Sequence, residues 1–98
     1  MKDERPMLVF FWSARSGPAR RMESLLAHFE RKERDRLRIR RVDVDANPEL
    51  ARKFAVTIVP TLVLVKDKHA VSRLDGRTSA PRIEHMLDQH LPRGPAAA

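Results

Sequence analysis

Cysteine is absent from all 98 residues. That excludes disulfide bonds, thiolate metal sites and thiol–disulfide exchange, which needs one thiolate to attack and a second thiol to resolve the mixed disulfide. Stability must then come from packing. Long apolar runs are missing as well. The continuous run at 7–12 has six residues, far short of the roughly 20 that cross a bilayer. It lacks a small-x-small cleavage site before Arg15, so it does not read as a secretion signal. The expected setting is the cytoplasm, without membrane contact. His28, Asp43, Asp45 and Glu49 show no metal-ligand spacing, and neither a metal nor another cofactor is expected.

Charge is what the chain has in plenty. Arg and Lys number 20 against 13 acidic residues, for a net charge of +7, and 15 of the 20 are arginine. With 42% hydrophobic residues, the composition fits one globular domain with a modest core. A basic surface attracts anions without selecting among them. Residues 31–41 concentrate it, with seven basic residues against two acids. One reading makes this segment a nucleic-acid or acidic-partner patch. The plainer reading is a solvated surface, because the run straddles a helix end and a strand and interleaves no aromatic residue for base stacking.

Hydrophobic periodicity orders the chain. Residues 7–12 read as a buried parallel strand. Gly17 and Pro18 break it, and Ser16 caps a single helix with Met22, Leu25, Leu26 and Phe29 on its inner face. Residues 37–44 form the next strand. Asn47 supplies an N-cap and Pro48 a first-turn proline for a short helix carrying Leu50, Ala51 and Phe54 inward. Residues 61–66 and 70–74 are too close for a crossover and make an antiparallel hairpin. Ser79 opens the last helix, with Ile83, Met86, Leu87 and Leu91 inward. The order is β-α-β-α-β-β-α, an α/β fold with a mixed four-stranded sheet flanked by helices. An arm at 1–6 precedes the domain at 7–91, and a Pro/Gly/Ala-rich tail at 92–98 is expected to be disordered.

The stretch Phe11-Trp12-Ser13-Ala14-Arg15-Ser16-Gly17-Pro18-Ala19-Arg20 resembles the thioredoxin active-site segment F-W-A-x-W-C-G-P-C-K, with Ser16 and Ala19 in place of its two cysteines. Ile58-Val59-Pro60-Thr61 is similar to that family's x-I-P-T motif, whose proline is cis and faces the active-site loop. Val42-Asp43-Val44-Asp45, Asn47-Pro48 and Leu74-Asp75-Gly76-Arg77 fall in order at the remaining landmarks. Full-length members carry an extra strand and helix ahead of this order, so the chain looks like the minimal core. Phe11-Trp12-Ser13-x-Arg15-Ser16 is also similar to the N-terminal domain of thioredoxin–tetratricopeptide holdases.

The resemblance implies a degenerate active-site motif at Ser16, Gly17, Pro18 and Ala19. It also implies a peptide groove built from Arg15 and that motif, from Val59 and Pro60, and from Asp75, Gly76 and Arg77. Family members hold a buried aspartate where this chain has Phe10, beside a lysine at the position of Arg41. An acid lost from that place fits lost thiol chemistry, since a buried carboxylate is costly. Asp45 is implied to be structural, next to the active-site loop. The function expected is a non-catalytic peptide- or protein-binding or chaperone-like module. Its partner is an extended segment, acidic rather than apolar, because the groove's wall positions are Arg15, Asp75 and Arg77. Arg15 and Arg77 pairing with Asp75 is a competing arrangement that closes the groove. Two alternatives stand beside it: nucleic-acid or acidic-partner binding through 31–41, and an enzyme acting through Ser16, for instance on glutathione conjugates. A serine nucleophile needs an adjacent base, and His28, His69, His85 and His90 all lie away from that loop in this reading.

Overall fold

The computed structural model describes residues 4–91. Residues 1–3 of the arm at 1–6, and the tail at 92–98, lie outside the described residues. In chain order the elements are β1 (Met7–Trp12), α1 (Gly17–Arg21), α2 (Glu23–Lys32), β2 (Arg38–Asp43), α3 (Pro48–Lys53), β3 (Thr61–Lys66), β4 (His69–Asp75) and α4 (Ala80–His90). The four strands form one sheet in the order β2-β1-β3-β4. β1 runs parallel to β2 and antiparallel to β3, and β3 pairs antiparallel with β4.

Strand alternation sorts the core into two layers. Leu8, Phe10, Leu62 and Leu64 point to the face covered by α1, α2 and α4, where they meet Leu26, Phe29, Ile83, Met86 and Leu87. Val9, Phe11, Val42 and Val63 point to the opposite face and pack with Leu50, Phe54 and Val56 around α3. The aromatic rings of Phe11 and Phe54 lie 5.6 Å apart at 52°, a tilted contact of the favourable kind. β1, second in the sheet, is the buried strand its unbroken apolar run foretells.

The expected single helix after Ser16 is instead two. α1 is one short turn that ends at Met22, whose N–H is shared between the carbonyls of Pro18 and Ala19, both at 3.2 Å. Such sharing tightens the helix locally, and α2 restarts from there. The β3–β4 hairpin closes through Asp67 and Lys68, with φ of +53° and +69° and Lys66 paired to His69. Positive φ at both central residues makes a type I′ turn, which suits the twist of a hairpin and ordinarily takes Asn-Gly or Asp-Gly. Lysine sits here where glycine is the usual occupant. A bulge between Leu64 and Val65 leaves Val71 outside the pairing, one of the two large exposed hydrophobics among the described residues.

Candidate functional site

The register places the expected site. Phe11 pairs with Thr61 and Thr61 with Asp75, so the end of β1, the start of β3 and the end of β4 stand side by side. The loop at 13–16, the loop at 58–60 and the Gly76–Arg77 corner therefore emerge at one end of the sheet. Val59–Pro60 is a cis peptide bond, and Pro60 is buried. The Gly76 N–H donates to the Pro60 carbonyl at 2.7 Å. Gly76 has φ +81°, a backbone setting that other residues rarely adopt, and the Ile58 side chain lies next to it. Thr61, fully buried, donates its hydroxyl to the Ile58 carbonyl at 2.8 Å. These two bonds use the carbonyls on either side of Val59 and leave the Val59 backbone out of the loop's own hydrogen bonding. Ile58 is half exposed and forms an apolar knob beside it.

Ser16 is a helix cap. Its backbone is extended, and its Oγ accepts the Ala19 N–H at 3.2 Å, the usual geometry for the first turn. Pro18 follows in the first turn and Ala19 is buried. None of the hydrogen bonds of the Ser16 hydroxyl involves a histidine. His69 sits at the hairpin turn, the opposite end of the sheet, while His28, His85 and His90 lie on α2 and α4.

The rim charges are not paired as the competing closed arrangement would have them. Arg15 does not turn to Asp75. Its Nη2 donates to Asp45 Oδ1 at 2.7 Å, and the Ser13 hydroxyl donates to Asp45 Oδ2 at 2.6 Å. Ser13 Oγ accepts the Arg15 N–H in turn. The Ser13 hydroxyl above all, then the Arg15 guanidinium, holds the Asp45 carboxyl below its ordinary range because both interactions favour the charged form. Asp75 is taken by Arg73, whose Nη2 reaches it at 2.9 Å. The competing arrangement, in which Arg15 and Arg77 close on Asp75, is thus not formed: Arg15 and Asp75 each have another partner, and Arg77 is exposed with no ion pair among the described residues.

Three residues escaped the sequence reading. Arg73 donates to the carbonyls of Phe54 (2.7 Å) and Ala55 (3.2 Å) as well as to Asp75, and so ties the end of α3 to β4. Glu23 and Glu30 both meet Arg41, at 2.7 and 3.1 Å. They stand seven residues apart on α2, a helical spacing that places them on one face and was a usable signal. Phe10 lies opposite Arg41 in the ladder and is 1% exposed within the helix-side core. Asn47 also departs from expectation: it precedes α3, but its side chain donates to the Asp43 carbonyl rather than capping the helix. No group of three or more potential metal ligands occurs among the described residues, and no helix there is long and apolar enough to cross a membrane.

The thioredoxin family model matches residues 1–89. The thioredoxin of Alicyclobacillus acidocaldarius is 33% identical over 87 residues, covering 89% of this chain and 83% of that protein. The thioredoxin of Mycobacterium tuberculosis is 33% identical over 92 residues, covering 94% and 79%. A solved structure titled only as that of a malarial protein superposes with a TM-score of 0.82 at 25% identity, covering 90% of this chain and 99% of that one. Sheet order, the Pro60 and Gly76 corners and these matches agree: the chain is a cysteine-free member of the thioredoxin family.

Proposed function

We propose that this protein is a redox-inactive, non-catalytic thioredoxin-like module that binds an extended peptide segment across the loops at 13–16, 58–60 and 76–77. The observation that carries the reading is the Val59 backbone. The carbonyls on either side of it are engaged within the fold, while Val59 itself is left to pair with an added strand. Family membership and the missing cysteines support a protein that has left thiol chemistry and kept the fold. The relatives are bacterial thioredoxins, and a cytoplasmic setting is part of the same proposal.

The charge arrangement refines the partner. With Arg15 held by Asp45 and Asp75 held by Arg73, Arg77 is the charge left to meet a ligand. Ile58 offers an apolar contact beside it. The segment this groove suits carries an acidic residue near Arg77 and an apolar one over Ile58, rather than the wholly apolar stretch of a misfolded client. Burying unpaired rim charges under such a stretch costs on the order of 1–3 kcal/mol each.

Two measurements test this. A dithiol-driven disulfide-reduction assay should show no turnover above a protein-free blank, and turnover would overturn the redox-inactive reading. A partner captured from native lysate should bind Arg77→Ala more weakly than the parent, with Arg15→Ala affected less. Unchanged binding in both variants, or equal binding of unfolded apolar clients, rules out the groove as described.

A further inference from the structure

β2 is an edge strand, with β1 as its one strand neighbour among the described residues. Its ladder opens where the Arg38 N–H donates to Pro6 and closes where the Val44 N–H donates to Trp12, both at 2.9 Å, in an unbroken parallel register. Alternate residues of a strand face a given neighbour. Residues 38, 40, 42 and 44 face β1, so Ile39 and Arg41 turn their N–H and C=O groups outward. An unpaired row of this kind is a template for another strand.

The surroundings of that row are basic. A cleft of about 560 Å³ along the edge is lined by Arg5, Glu30, Arg34, Arg38, Arg40 and Arg41, among others. Glu23 and Glu30 answer Arg41. Arg34 and Arg40 are exposed, and neither side chain has an ion pair among the described residues. The arm contributes too, since Arg5 donates to the Arg34 carbonyl and holds that corner in place.

Three kinds of occupant compete for this edge. A second copy added edge to edge sets arginine against arginine, and like charges directly opposite each other destabilise a ladder. Single-stranded nucleic acid answers the charge, but no aromatic side chain lines the cleft for stacking, and the outward backbone groups go unused. An extended peptide with carboxylates at alternate positions uses both features at once. Its backbone pairs with Ile39 and Arg41, and its acidic side chains reach Arg34 and Arg40.

We infer that the outer edge of β2 accepts an acidic, extended peptide segment as a fifth strand, on a surface separate from the loops around Pro60. The experiment uses an eight-residue peptide of alternating Glu and Val, titrated into the full-length ¹⁵N-labelled protein. Amide shifts should centre on Ile39 and Arg41. A peptide N-methylated at alternate residues on one side, which removes the strand's donors but keeps its charge, should lose binding. Arg34→Glu combined with Arg40→Glu should weaken the parent peptide about tenfold or more. Both positions are exposed, and the N-methyl arm needs no variant at all. Four results overturn the inference: shifts confined to Arg15, Val59 and Arg77, which would move the peptide to the loop groove; equal binding of the N-methylated peptide; tighter binding of an oligothymidylate of equal charge; or dimerisation through β2 without peptide.

Discussion

Ala55 shows how much a single backbone position carries. It follows α3 at φ +54°, its N–H donates to the Arg52 carbonyl, and the Val56 N–H donates to the Ala51 carbonyl. That pair of bonds is a Schellman ending, which glycine ordinarily occupies at the left-handed position. The Cβ of alanine makes that conformation cost about 1–2 kcal/mol, against roughly 0.5–1 kcal/mol of extra unfolded-chain entropy for glycine. Ala55→Gly should therefore stabilise the fold by about 0.5–1 kcal/mol, a rise of roughly 2–6 °C in Tm for a domain of this size. Thermal unfolding followed by circular dichroism measures it, and a lower Tm would show that the motif does not strain alanine. The sequence marked a short helix here, with Pro48 in its first turn and Phe54 on its inner face. It gave no sign of the positive φ, because alanine, unlike glycine, does not mark such a position.

At the scale of elements, the loop after β1 is tied to the turn after β2 through Ser13, Asp45 and Arg15. The Asp45 carboxyl is held below its ordinary value, by the Ser13 hydroxyl first and Arg15 second. A depressed folded-state value means that this contribution is present above the unfolded value of about 3.9 and is lost as pH falls through the folded one. Urea unfolding of the parent between pH 7 and pH 3 should accordingly show a steeper loss of stability than Asp45→Asn, which has no proton to take up at that site. Parallel curves for the two proteins would mean the tie contributes nothing. The same tie explains why the groove rim differs from its sequence-level description. Arg15, Asp75 and Arg77 do lie in segments that meet at one end of the sheet. Their pairing was not read from the sequence: Asp45 comes to Arg15 from the turn after β2, and Asp75 is met by Arg73 two places before it on the same strand, β4.

The whole molecule decides whether thiol chemistry can be put back. Phe10 is 1% exposed in the larger core layer, and the basic side chain opposite it, Arg41, already answers Glu23 and Glu30. An aspartate at position 10 leaves both a cavity and a buried carboxyl without a free cation. Removing a buried Phe side chain costs about 3–5 kcal/mol, a large part of the roughly 5–15 kcal/mol that holds a domain together. Ser16→Cys with Ala19→Cys should fold like the parent, since those positions are a helix cap and a small buried residue. Adding Phe10→Asp to that pair should lower stability by about 3 kcal/mol or more in urea unfolding. A triple variant as stable as the double would show that the core relaxes around the carboxyl.

Composition and periodicity by themselves determined a good deal. The apolar run at 7–12 is short and unbroken, so it had to be an inner strand. The spacing of Met22, Leu26 and Phe29 had to bury one helix face, and the absence of cysteine removed thiol exchange whatever the fold. These are local or additive properties, readable residue by residue. What the tertiary structure decided is which charge meets which, and which backbone groups are left over. Arg41 could not be matched to Glu23 and Glu30 until α2 lay on β2, and the helix after Ser16 could not be seen to break at Met22 from its apolar spacing, which runs on through the break. Ion pairs are short-ranged and insensitive to sequence distance, and an open edge is a property of sheet order. Both come into being only when the strands find their places.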